Sequence, residues 1–362
     1  MADAAENDLE DDIAELEDAP AARARVNAGE DALREGVERM RAVKRPVWRR
    51  KARAVMRRIL DDGLYGVNEP APPGTLRGID WHRVPWMNYY MRRSLSWFAL
   101  NHGYEPDVIA PRGFSEKLIV AKLFAPIPLP SPGDKLGLDR YIPEALRGRV
   151  RTARRVWASS YPEAPQGVDA PPGRYFFKAN HASGLNIPVS LPLPEGAEAK
   201  LAEAAEKFLA HDYGARGGEW WYQAIHRKVY LEESFAPAGG SATDWKFFVI
   251  GGRVEIVQVD LDRAEDHKQL IYDRDFDFLP YEFFYPSGRP IEPPANYREM
   301  LEAAEAIGAQ FEFARVDFYN TDEGIVLGEI TLAPGGARQR IRSPELDERM
   351  GAAWATPLFA GR

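Results

Sequence analysis

The 362-residue chain contains no cysteine, which excludes disulfides, thiolate metal sites and a cysteine nucleophile together. Its six histidines are scattered without the short spacings of a zinc site, so no zinc centre is expected. No apolar run approaches the ~20 residues needed to cross a bilayer, and the N-terminus is acidic where a signal peptide is basic. Excess positive charge is also missing. Forty-seven Lys and Arg against 55 Asp and Glu give a net charge of −8, which argues against non-specific nucleic-acid binding. What is present, 45% hydrophobic and 11% aromatic residues, suffices for the core of a cytoplasmic enzyme.

Residues 1–40 are rich in Ala, Glu and Asp and read as a disordered or loosely helical arm. From Arg41 to Arg58 the charge reverses. Trp48, Ala52, Val55 and Ile59 recur at helical spacing among arginines, which makes residues 41–60 a basic amphipathic helix. Such a helix can lie on an anionic surface, giving peripheral contact with the inner face of a membrane, or dock on the body with its charges solvated. Aromatic-rich segments around Trp86-Met-Asn-Tyr89-Tyr90 and Ser96-Trp97-Phe98 read as buried helices, completing a region of residues 41–104. Beyond about residue 105, helices alternate with hairpins and no internal repeat is found. This implies a mixed α+β body over residues 105–355.

The chemistry-bearing residues gather in that body. Arg315-Val-Asp317-Phe-Tyr-Asn alternates like a strand, as does Ile325 to Ile330, and Thr321-Asp-Glu-Gly324 between them reads as a hairpin turn. Asp317 and Glu329 then sit on paired strands with side chains on one face. Two hard carboxylates beside an arginine suit Mg²⁺ held against a polyphosphate, while a surface hairpin with cross-strand charges is the plainer alternative. Lys178 ends a strand before the small-residue loop Ala182-Ser183-Gly184, whose backbone N–H groups can cradle phosphate; neither a Walker A nor a Rossmann order is present, and taken alone the segment reads equally as a plain surface loop. Tyr230-Leu-Glu232-Glu233 is an apolar strand ending in two acids. Asp244 and Lys246 share one face of another strand, and Asp260-Leu-Asp262 follows a third.

In this order and spacing the sequence resembles the ATP-grasp superfamily, most closely its TupA-like branch, from about Pro111 to Met350. The resemblance rests on Gly113-Phe-Ser-Glu-Lys117, Asp134-Lys135, Phe177-Lys-Ala-Asn-His-Ala-Ser-Gly-Leu-Asn186, Glu232-Glu233-Ser-Phe235 and Asp244-Trp-Lys-Phe-Phe248. It continues through Val257-Gln-Val-Asp-Leu-Asp-Arg263, His267-Lys268, Arg315-Val-Asp-Phe-Tyr-Asn320 and Gly328-Glu-Ile-Thr-Leu-Ala-Pro-Gly335. It implies an ATP-grasp fold with ATP held between two α+β subdomains. Lys135, Lys178, Ser183 and Gly184 would meet the phosphates, Glu232 and Glu233 the adenine hinge, and Asp244 and Lys246 the ribose side. Asp317, Glu329 and Thr331 would hold Mg²⁺, two ions in all, although many relatives carry Asn where Thr331 stands. Arg315 with Lys178 would stabilise the transferring phosphoryl group. Asp260, Arg263 and Lys268 would line an acceptor site.

The implied activity is a carboxylate–amine ligase acting through an acyl phosphate. Sequences of this kind serve surface-polysaccharide assembly, so a uronic-acid or glutamyl carboxylate and an amino acid or amine are the expected partners. The competing reading is a glycosyltransferase that holds its metal with Asp260-x-Asp262.

Overall fold

A computed structural model describes residues 28–235, 243–261, 267–281, 283 and 285–359; residues 1–27 of the acidic arm, Asp262 and Arg263 lie outside them. Two helices open the described chain, α1 (Ala28–Arg41) and α2 (Arg45–Asp61). Proline at the first turn of α2 has no N–H to lose there, and the helix buries Trp48, Ala52, Met56 and Ile59. Those four residues recur every three or four positions, so one stripe faces inward while Arg49, Arg50, Arg53, Arg57 and Arg58 face solvent. Val55, expected on the stripe, stands at its edge, half-buried, and Met56 takes the inner position.

After a two-residue ribbon strand, β1 (Thr75–Leu76), and the short helix α3 (Gly78–Trp81), α4 (Val84–His102) packs against both α1 and α2. Its middle is buried as expected, but Trp86 is 55% exposed. The cause is position: Trp86 lies in the first turn, before α4 enters the core. Every residue of α5 (Phe114–Phe124) is buried. Its charged members are accommodated by hydrogen bonds: Lys117 Nζ donates to the carbonyls of Gly351 (2.9 Å) and Trp354 (2.8 Å), and Lys122 Nζ to Gly336 O (2.9 Å).

Beyond β2 (Ile127–Pro128), which pairs with β1, a 3-10 turn over Lys135–Tyr141 leads into two sheets. The smaller is antiparallel, ordered β4 (Arg155–Ser159), β7 (Val229–Glu233), β5 (Gly173–Ala179) and β6 (Asn186–Leu191), and is covered by α6 (Ala197–Ala210). The larger has seven strands. Its order is β11 (Phe278–Leu279), β10 (Lys268–Tyr272), β9 (Arg253–Leu261), β8 (Asp244–Ile250), β12 (Phe313–Thr321), β13 (Gly324–Thr331) and β3 (Val150–Thr152). Only the β13–β3 pair is parallel. Helix α7 (Tyr297–Gly308) lies on one face of this sheet, and its Gly308 meets Val249 where no side chain would fit. The other face carries the polar residues described next. After β13, the loop Pro334–Ala337 leads to α8 (Pro344–Ala353), which returns to α5.

The core follows this division. One cluster joins α2, α4 and α5 to the seven-stranded sheet; a second fills the space between the four-stranded sheet and α6. No helix among the described residues is long and apolar enough to cross a membrane.

Candidate active site

The hairpin β12–β13 fixes the two acids. From the turn inward Thr321 faces Gly324 and Phe318 faces Leu327; there the register shifts, so that Asp317 faces Glu329 and Arg315 faces Thr331. Gly328 is the extra residue of a β-bulge. In an unbroken ladder Asp317 would meet Gly328, Glu329 would turn to the apolar face opposite Val316, and Ile330 would take its place on the polar face. The bulge restores it to the polar face. A Cβ on Gly328 would stand 3.0 Å from the Tyr319 ring, so the bulge also brings that ring close to the strand.

On this face Arg315 grips Asp317 with two bonds, Nε to Oδ1 (2.8 Å) and Nη2 to Oδ2 (2.6 Å), and reaches Thr331 Oγ1 (3.2 Å) and Glu329 Oε2 (3.8 Å). Lys135 Nζ pairs with Glu329 Oε1 at 3.2 Å. The two carboxyls respond oppositely. Burial dominates at Asp317 and raises it to about 6 despite Arg315. Burial also pushes Glu329 upward, but the Lys135 and Arg315 charges outweigh it and hold the group at about 2.

The polar face continues across the sheet. Asp317 lies opposite Lys246, and Lys246 opposite Gln258; Asp244 lies opposite Asp260, and Asp260 opposite Gln269. Lys246 Nζ bridges Asp244 (3.0 Å) and Asp260 (2.6 Å), while Gln258 Nε2 donates to Asp260 Oδ1 (2.8 Å). Burial opposes ionisation of Asp260, yet Lys246 and Gln258 hold its carboxyl below the usual range. His267 lies against Tyr285, with ring centroids 3.7 Å apart and the planes tilted by 33°, at the outer end of this row.

The opposite wall comes from the four-stranded sheet and its connections. Lys178 projects from β5 and pairs with Glu232 of β7. Asn180, almost wholly buried, ties the wall to the strap carrying Lys135: Nδ2 donates to Asp134 Oδ1 (2.8 Å), Lys135 N to Asn180 O (3.1 Å), and Lys228 N to Asn180 Oδ1 (2.7 Å). Ser183 hydrogen-bonds the Tyr213 side chain, and Tyr213 meets Tyr222 edge-on at 4.8 Å.

The two walls enclose one cavity of about 860 Å³, within the range of small-molecule sites. Of the expected residues, Lys135, Lys178, Ser183, Asp244, Lys246, Asp260, Arg315, Asp317, Glu329 and Thr331 all line it. Gly184, Glu232, Glu233 and Lys268 do not. Register explains three of these: Glu232 faces Arg155 and Phe176 and is engaged by Lys178, Glu233 is held by Arg151 Nη1 (2.6 Å) and Arg154 N (2.8 Å), and Lys268 starts β10 opposite Leu261. Gly184 turns away at the tip of the β5–β6 connection with a positive φ of 76°. Arg263 lies outside the described residues. Sequence reading missed Tyr213, Glu219 and Tyr222, which carry no motif and reach the cavity only through folding.

The donor set fits magnesium held jointly with a polyphosphate. Two adjacent carboxylates and a hydroxyl offer hard oxygens, and Mg²⁺ completes its shell with water and phosphate oxygen. A dedicated protein cage does not fit, because no group of three or more His, Asp or Glu residues able to hold a metal occurs among the described residues. Asp260 is tied to Lys246 and Gln258 and Asp262 lies outside the described residues, so the Asp260-x-Asp262 reading is not favoured.

Comparison with known proteins gives one family match. The profile described as TupA-like ATPgrasp matches residues 171–355, more than half of the chain. No curated protein matches it. Among solved structures, the chain is similar to the ATP-grasp ligase PsnB complexed with minimal precursor, at 15% identity and a TM-score of 0.31, over 62% of this chain and 60% of that one. It is also similar to PsnB complexed with a phosphomimetic variant of minimal precursor, Mg and ADP, at 14% identity and a TM-score of 0.34, over 76% and 71%.

Proposed function

Because the chain belongs to the TupA-like ATP-grasp family, we propose that it is an ATP-dependent ligase that joins a carboxylate to an amine through an acyl phosphate. The observation that carries the reading is the convergence of Lys135, Lys178 and Arg315 with the facing pair Asp317 and Glu329 on one cavity. A carboxylate resists amines because its leaving group would be oxide. Phosphorylation replaces that leaving group with phosphate, and anion-on-anion transfer requires the phosphoryl oxygens to be neutralised.

Each residue has a part in that scheme. Lys135 and Lys178 bind phosphate oxygens from the strap and from β5. Arg315, held in place by Asp317 and Thr331, would offer its remaining N–H groups to the phosphoryl oxygens, where pre-organisation counts most. Asp317 and Glu329 would hold Mg²⁺, which would neutralise phosphate charge when bound. The row from Lys246 to Asp260, with His267 and Tyr285 packed against each other at its end, forms the acceptor end. For the acceptor, a uronic-acid or glutamyl carboxylate of a surface polymer agrees with the polar lining, with an amino acid as the amine.

Incubation with Mg-ATP and a matrix of uronic acids, glutamate and amino acids, read by ADP release and amide mass, tests this. ADP formation that requires both a carboxylate and an amine is expected. A fold stabilised by a UDP-sugar but not by Mg-ATP would overturn the reading in favour of glycosyl transfer.

A further inference from the structure

Glu219 takes no part in the pairings above. It is 7% exposed and lines the cavity, yet its carboxylate makes no hydrogen bond or ion pair among the described residues. The nearby cations, Lys122 and Arg338, act on Glu219 through space but donate no hydrogen bond to it. Lys122 Nζ donates to Gly336 O (2.9 Å), and Arg338 donates from Nε to Gly335 O (3.2 Å) while its guanidinium lies 4.4 Å over Trp97. Two glycines leave room for the carboxylate: a Cβ added to Gly217 or Gly336 would stand 3.0 or 3.2 Å from Oε2, and the one on Gly336 would also meet Arg338 Nε at 3.1 Å. A desolvated carboxylate that faces a cavity with none of its hydrogen bonds made is costly unless a ligand completes it.

We propose that Glu219 forms the subsite for the amine substrate, binding it as an ammonium ion and accepting the proton that its nitrogen must lose. The inference deepens the ligase reading and rests on it for the chemical step. The carboxylate supplies an acceptor without a competing donor, and the rings of Tyr213 and Tyr222 beside it suit a cation. The groups facing Glu219 are Lys122 of α5, Arg338 after the glycine loop, Glu329 of β13 and the two tyrosines. Burial raises the Glu219 carboxyl, with Lys122 and Arg338 opposing it, which makes it a stronger base than an exposed glutamate. The ammonium gives one proton to Glu219. The freed lone pair forms the C–N bond at the acyl carbon, the C–O bond to phosphate breaks with its electron pair, and the second nitrogen proton leaves on the phosphate.

Two measurements on the full chain test the subsite. In the first, lysine, ethanolamine and putrescine are added with Mg-ATP, and thermal stabilisation is compared in wild type, Glu219→Gln and Glu219→Asp. Stabilisation of wild type, its loss in Glu219→Gln and partial recovery in Glu219→Asp are expected; equal response of wild type and Glu219→Gln, or none in wild type, overturns the proposal. In the second, the most active carboxylate is supplied with its amine or with hydroxylamine, which is already neutral near pH 7. Amide formation is expected to fall about 100-fold in Glu219→Gln, while hydroxamate falls far less. Equal losses would overturn the base role. If no carboxylate releases ADP but amines still stabilise wild type alone, the subsite stands and the ligase reading fails.

Discussion

At the residue scale, fixed partners decide what each charged group can do. Arg274 and Glu305 give a clean case away from the cavity: Nε and Nη2 meet Oε1 and Oε2 at 2.8 and 3.0 Å, and Val254 N adds a third bond (3.1 Å). Burial opposes the Glu305 charge, but Arg274 and the Val254 amide outweigh it and lower its carboxyl. A lowered folded value means the stabilisation is complete above the unfolded carboxylate range and disappears as pH falls through the folded one. Glu305→Gln is therefore expected to cost about 1.5–3 kcal/mol near neutral pH, with the gap from wild type closing below about pH 4. Urea unfolding at both pH values measures it; a gap that widens in acid would contradict the assignment. Lys178, Asp317 and Glu329 were legible because each sits in a short ordered motif. Glu219 was not: its character arises from Lys122, Arg338 and two glycines drawn together from separate segments, and Gly217-Gly-Glu-Trp-Trp221 signals none of it.

At the element scale, the hairpin β12–β13 is where local sequence and chemistry meet. The turn at Thr321–Gly324 and the strand pattern announced the pairing, and an acid pair on one face was expected from them. A regular ladder from that turn would have separated the acids. The signal for the bulge was Ile325-Val-Leu327, three consecutive apolar residues that break alternation before Gly328, all buried in the fold. Gly328→Val should push the Tyr319 ring, 3.0 Å from the new Cβ position, and strain the strand by about 1–3 kcal/mol. Thermal unfolding and Mg-ATP affinity are expected to drop together. Full affinity in that variant would show that the bulge does not set the geometry of the acids. The 3-10 turn at Lys135 was less legible, because its place beside Glu329 depends on Asn180 and Asp134, which only the folded chain brings into contact.

At the scale of the whole molecule, the helices before residue 105 and the seven-stranded sheet share one core cluster, and the basic helix α2 has spent its apolar stripe there. Trp97 and Asn101 of α4 reach further, to the Arg338 guanidinium and the Arg338 carbonyl (2.7 Å), so the N-terminal helices brace the loop that closes the cavity. Periodicity revealed those helices, but not where they would dock, since an amphipathic stripe does not name its partner. The account's central claim joins the two walls: acids on the seven-stranded sheet and lysines on the opposing side grip one magnesium-bound triphosphate. Calorimetric titration of ATP, with Mg²⁺ and with EDTA, into wild type and Glu329→Gln tests it most directly. Wild type is expected to bind Mg-ATP at least about tenfold more tightly than the variant, roughly 1.4 kcal/mol, and the difference should vanish in EDTA. Equal affinity of the two proteins for Mg-ATP would contradict it.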